Sequence, residues 1–175
     1  MAWTIEAVRE ADVDPAAVWR LYADPATWSR WGHNSTWARA EGPLVLGGTV
    51  DVRANYGTVY HCRIRRFEEG HALELVVMPA GLTIINVYEV SPTDGGSRVR
   101  HAFEVSGPLA RPTRWIGLHR LYRRQLAEEV EAVIALAKDP ASIDPSRTPA
   151  PVSRPERVWH GIGRRLRRGR ESQRR

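Results

Sequence analysis

The chain of 175 residues is long enough for one domain with a substantial core, and its formal charge of +6 is unevenly spread: residues 138–175 hold 11 Lys or Arg against 4 acids, residues 1–137 hold 15 Arg against 16. A domain that is basic all over is thereby excluded, and any electrostatic attraction to nucleic acid or anionic lipid is confined to the tail. The single cysteine, Cys62, excludes an intramolecular disulfide and suits a reducing cytoplasm, while the longest uncharged run, the 14 residues Leu75 to Tyr88, falls short of the roughly 20 that span a bilayer.

Taken in chain order, Trp3 to Val8 alternates and predicts an edge strand; the charges at Glu6, Arg9 and Glu10 leave no apolar signal core there. Asp14 is a helix cap with Pro15 at the first helical position, and Val18, Leu21 and Tyr22 fall on one face. Asp24-Pro25 repeats the start signal ahead of Trp28 and Trp31, so Asp14 to Trp31 predicts two short helices with a sharp corner. Thr36 to Ala40 is a weak strand, and Gly47-Gly48 leads into a strand from Thr49 to Ala54. Beyond the Asn55-Tyr56-Gly57 turn, Thr58 to Phe67 puts Tyr60, Cys62 and Ile64 on one side and His61, Arg63 and Arg65 on the other. His71 to Val77, Leu82 to Val90 and Arg98 to Val105 continue the pattern, separated by Pro79-Ala80-Gly81 and the turn-forming run Ser91 to Gly96. A final helix beginning between Pro108 and Pro112 and running to about Lys138 carries the stripe Trp115, Leu118, Tyr122, Leu126, Val130, Val133 and Ala137. Asp139-Pro140 stops it. Residues 141–155 read as a Pro-rich flexible linker, and 156–175 as an Arg-rich amphipathic or solvated tail.

Val18 to Trp31 (VWRLYADPATWSRW), followed by Leu44 to Arg53 (LVLGGTVDVR), resembles the START-like helix-grip superfamily (SRPBCC), in particular its polyketide cyclase/dehydrase and lipid-transport branch. The resemblance implies an α+β fold over residues 1–140: a curved antiparallel sheet of about six or seven strands wrapped around the long C-terminal helix, with the two short helices after the first strand closing one end of an internal apolar cavity.

Inward parity along the strands then nominates the side chains that reach a ligand. Tyr60 and His101 share the apolar face of their strands, and Asn86 and Tyr88 do so if Ile84, Asn86, Tyr88 and Val90 form the inner set, although Ile85 and Val87 make the opposite face equally apolar. The helix adds Trp115, His119 and Tyr122, and the resemblance places Trp28 and Trp31 near the cavity mouth. Each has a second reading as a packed core residue, and His101 needs a partner either way. Cys62 reads as a small inert hydrophobe. His33, His61, His71 and His101 are too scattered to form a metal site, and neither metal nor cofactor is expected. The resulting function is binding or transport of a small hydrophobic molecule, lipid or polyketide-like. The alternative is a polyketide cyclase/dehydrase using His101 as general acid/base, assisted by Tyr88 or Tyr60. A third reading has Arg164, Arg165, Arg167 and Arg168 bringing the domain to an anionic membrane surface or, in second place, to nucleic acid. Ligand identity and oligomeric state are not set by the sequence.

Overall fold

In the computed structural model, residues 2–141 are described, except 80 and 116. The predicted tail, with Arg164, Arg165, Arg167 and Arg168, and all but the first residue of the predicted linker lie outside the described residues. Strands β1 (Trp3–Ala11), β2 (Ser35–Ala40), β3 (Thr49–Ala54), β4 (Val59–Glu68), β5 (Ala72–Val77), β6 (Thr83–Thr93) and β7 (Gly96–Ser106) form one antiparallel sheet in the order β1-β7-β6-β5-β4-β3-β2. Helices α1 (Pro15–Ala23) and α2 (Trp28–Trp31), joined by a 3-10 turn at Pro25–Thr27, follow β1; α3 (Ala110–Trp115) and α4 (Leu118–Lys138) follow β7. This is the helix-grip arrangement, with the sheet curved around α4. Register irregularities at Ser35/Trp37 and Ile64/Arg66 add to the bend, as an unpaired residue does in an antiparallel ladder.

The corner between α1 and α2 forms as the sequence predicts. Asp14 Oδ1 accepts from the Ala16 N–H and Asp24 Oδ1 from the Ala26 N–H, each at 3.0 Å, satisfying donors that a helix start leaves free. β1, β6 and β7 run further than their alternation indicates. Pairing continues to Thr93↔Gly96, leaving Asp94-Gly95 as a two-residue hairpin turn, and Ala11 pairs with Ser97 at the end of β1.

The concave face holds the core. Trp3 and Ile5 of β1 lie beside Val105 and Phe103 of β7, and Leu73 and Leu75 of β5 join them; Leu126, Val130 and Val133 of α4 pack on top. The convex face is wet and charged. Arg66 bonds Glu68 and Glu89, Arg100 bonds Glu89 and Glu6, and these contacts span 2.7–2.9 Å. In the row Glu6, Ala102, Val87, Glu74 across four strands, Val87 and Ala102 are nonetheless buried on this outer face.

One expectation is corrected. The last helix is not continuous from the prolines to Lys138: α3 ends at Trp115, and α4 starts after Gly117, whose φ of +81° is a left-handed conformation that no α-helix contains. The break puts Trp115 out of phase with the stripe below it. Trp115 is 80 % exposed, whereas Leu118, Leu126, Val130 and Val133 are buried. α3 is anchored by its other face, where Trp3 Nε1 donates to the Ala110 carbonyl (2.9 Å) and to Thr113 Oγ1 (3.3 Å).

Candidate functional site

Between the concave face and α4 lies a cavity of about 160 Å³. Its apolar wall is built by strand parity: Cys62 of β4, Leu75 of β5, Ile84 and Tyr88 of β6 and Phe103 of β7 all point inward. α2 supplies Trp28 and Trp31, whose ring centroids are 6.2 Å apart, and Tyr122 of α4 stacks on Phe103 at 4.6 Å. Tyr56, in the turn between β3 and β4, and Tyr60, Val77 and Ile84, near the ends of β4, β5 and β6, keep partial exposure, while Trp28, Trp31 and Leu75 are buried.

Tyr60, Asn86, Tyr88, Tyr122, Trp28 and Trp31 lie together on the cavity wall, Trp28 and Trp31 at its buried part. Asn86 and Tyr88 resolve the ambiguity of β6, since Ile85 and Val87 face outward. Three expected residues are not on the wall. Trp115 projects outward beneath the Arg111 guanidinium, 5.8 Å from its ring. His119 sits in the first turn of α4 and donates from Nδ1 to the Arg114 carbonyl (3.1 Å), tying α4 to α3 instead of reaching inward. His101 has the inward parity but is covered by α1, because parity fixes the face of a strand and not what lies on it. It is fully buried behind the wall, with Tyr88 4.9 Å and Trp31 5.7 Å away by ring centroid.

The surroundings of His101 are specific. Its Nε2 shares a 2.8 Å hydrogen bond with the Tyr22 hydroxyl, and its Nδ1 points at Glu129 Oε2 across 3.6 Å, too far for a hydrogen bond. Nδ1 has no hydrogen-bond partner among the described residues. Glu129 itself lines the cavity, its side chain 13 % exposed, and its Oε1 accepts from the His33 backbone N–H at 2.8 Å. Burial, and after it the negative charge of Glu129, push the Tyr22 and Tyr88 hydroxyls well above the ordinary tyrosine range, so both stay protonated. Cys62 is likewise pushed up to about 12, by burial first and by Asp51 second.

The polar side of the wall was missed from sequence. Asn34, between α2 and β2, and Ser35, the first residue of β2, share this lining with Gln125 and Glu129 of α4; Asn34 Nδ2 donates to Gln125 Oε1 at 3.0 Å. Gln125 and Glu129 are one turn apart and flank Leu126, so a polar pair at helical spacing beside the apolar stripe was the available signal. Nothing local marks Asn34 or Ser35.

Residues 2–138 match the family described as polyketide cyclase / dehydrase and lipid transport. No curated protein matches the chain. Among solved structures, a Mesorhizobium loti protein is 21% identical with a TM-score of 0.59, over 75% of this chain and 96% of its own. A START superfamily protein from Mycobacterium smegmatis superposes at 0.63 with 9% identity, over 79% of this chain and 99% of its own. DynU16, a protein of the dynemicin biosynthetic locus, superposes at 0.60 with 13% identity, over 79% of this chain and 48% of its own. At these identities the likeness is one of fold.

Proposed function

Because the chain belongs to the polyketide cyclase / dehydrase and lipid transport family, we propose that it binds a small, largely hydrophobic molecule in the cavity beneath α4. The observation that carries this reading is the cavity itself: about 160 Å³, its apolar wall formed by Trp28, Trp31, Leu75, Tyr88, Phe103 and Leu126 and its polar side by Asn34, Ser35, Gln125 and Glu129. An apolar cavity of about 150 Å³ takes up benzene. The enclosed part of the ligand is therefore about one ring or a short acyl end, and the remainder of a larger lipid or polyketide would extend past Tyr56 and Tyr60. Native mass spectrometry of the purified protein, with and without organic extraction, tests the reading directly. A stoichiometric apolar adduct, or saturable uptake of benzyl alcohol that Cys62→Phe reduces tenfold or more while the circular dichroism spectrum is kept, supports it. Protein that carries nothing and takes up no apolar probe sinks it.

A second reading, general acid/base turnover of a polyketide-like substrate, draws on Glu129 at the wall with His101 and Tyr22 behind it. In that reading the carboxylate moves the proton and His101 is a positioning residue, which revises the sequence-based assignment of chemistry to His101. Glu129→Gln should then lower kcat by about 10²-fold or more on a cyclisable poly-ketone. An unchanged kcat removes Glu129 from the chemistry.

A further inference from the structure

We propose that the molecule held in this cavity carries a cationic amino group, bound by Glu129, Asn34 and Ser35. The inference rests on the cavity being a binding site and names the chemical class of what it binds. Glu129 is a carboxylate on the wall of an aromatic cavity, and among the described residues no Lys or Arg pairs with it. Its Oε1 is held by the His33 N–H, while its Oε2 faces His101 Nδ1 at 3.6 Å, a separation beyond hydrogen bonding. A carboxylate taken out of water without a paired cation is costly, and a cation arriving with the ligand would offset that cost.

Two further residues of the same lining carry unpaired acceptors. The bond from His33 to Glu129 places the next two residues, Asn34 and Ser35, against the same stretch of α4. Because Asn34 Nδ2 is committed to Gln125 Oε1, its Oδ1 is the atom left over; it is buried and has no hydrogen-bond partner among the described residues. Ser35 is 8 % exposed, and its Oγ is equally buried and unpartnered. Both residues line the cavity. A primary ammonium offers three donors and no acceptor, matching the carboxylate and the two orphaned oxygens. A neutral hydroxyl offers one donor, and a carboxylate ligand brings a second negative charge to Glu129. Trp31, Tyr88 and Tyr122 line the same cavity, and aromatic rings in a ligand site favour a cation over an anion. With room for about one ring, benzylamine is the minimal probe.

Calorimetric titration of the full chain with benzylamine, benzyl alcohol and benzoate separates the possibilities. Benzylamine is expected to bind at least tenfold more tightly than benzyl alcohol, a difference of about 1.4 kcal/mol, and benzoate more weakly than either. In Glu129→Gln the amine loses its advantage while benzyl alcohol binds as before, which also shows that the variant keeps its cavity. Asn34→Ala lowers amine affinity several-fold and leaves the alcohol unchanged, a readout independent of whether the Glu129 variant folds. Equal affinities of amine and alcohol for the native chain overturn the assignment while leaving the cavity as a binding site, and so does an amine preference that survives in Glu129→Gln. If none of the three probes binds, the cavity reading fails together with it.

Discussion

Cys62 reports how far the cavity wall is removed from water. It is 5 % exposed in the middle of β4, and burial followed by the negative charge of Asp51 pushes its thiol up to about 12. The thiolate is the reactive form, so against a free thiol near ~8.5 the fraction available at neutral pH falls by about three powers of ten. Iodoacetamide at pH 8 should therefore modify native Cys62 at least ~10²-fold more slowly than the urea-unfolded chain, followed by mass spectrometry. Comparable rates would mean that β4 does not bury the thiol. The same shift has a sign for stability. A thiol whose folded pKa lies above its unfolded one contributes stability that is whole below ~8.5 and is lost as the pH rises toward 12, and the raised Tyr22 and Tyr88 hydroxyls act in the same direction above ~10. Denaturation midpoints in urea should accordingly fall between pH 9 and 11, by more in the native chain than in Cys62→Ala, which lacks the titrating group.

At the scale of elements, alternation was a reliable guide where one face of a strand is wet, as in β4, where Tyr60, Cys62 and Ile64 oppose His61, Arg63 and Arg65. It was ambiguous in β6 for a reason now visible: Val87 is buried on the convex face beside Ala102, so the strand is apolar on both sides. The interruption between α3 and α4 was illegible, because Trp115 and Leu118 keep helical spacing across it and one glycine within a helical pattern weakens a helix by only ~1 kcal/mol. What decides the break is the conformation of Gly117. A Cβ built there meets nothing within 4 Å, so substitution tests the backbone angle alone. Gly117→Ala should cost about 1–2 kcal/mol, the penalty of a left-handed L-residue, and lower Tm by roughly 2–8 °C in calorimetry. A gain in stability would indicate that α3 and α4 can merge into one helix, the arrangement that the periodicity alone suggests.

At the scale of the whole molecule, the site divides into a half that local pattern encodes and a half that only tertiary register encodes. The aromatic wall follows from parity within single strands. The polar wall exists because α4 is set down on the sheet so that Glu129 meets His33 and Gln125 meets Asn34, pairs 96 and 91 residues apart in the chain, and no local pattern carries such a register. The same docking closes the C-terminal end of the domain. Asp139 caps α4 through its N–H to the Ala135 carbonyl (3.0 Å), its Oδ1 accepts from the Ala141 N–H (2.9 Å), and the Arg30 guanidinium of α2 donates to the Pro140 carbonyl. Each of these bonds is complete by Ala141, and the residues after it include few large apolar side chains with which to extend the core. A chain ending at Ala141 should thus melt within about 3 °C of the full chain, the shift that ~1 kcal/mol produces in a domain of this size, and should bind benzyl alcohol with unchanged affinity. Any affinity of the full chain for anionic vesicles should disappear with residues 142–175, since all of the net positive charge goes with them. A fall in Tm of ~10 °C or more would place part of the folded unit beyond Ala141, and vesicle binding that persists after truncation would locate the contact on the domain instead of the arginines.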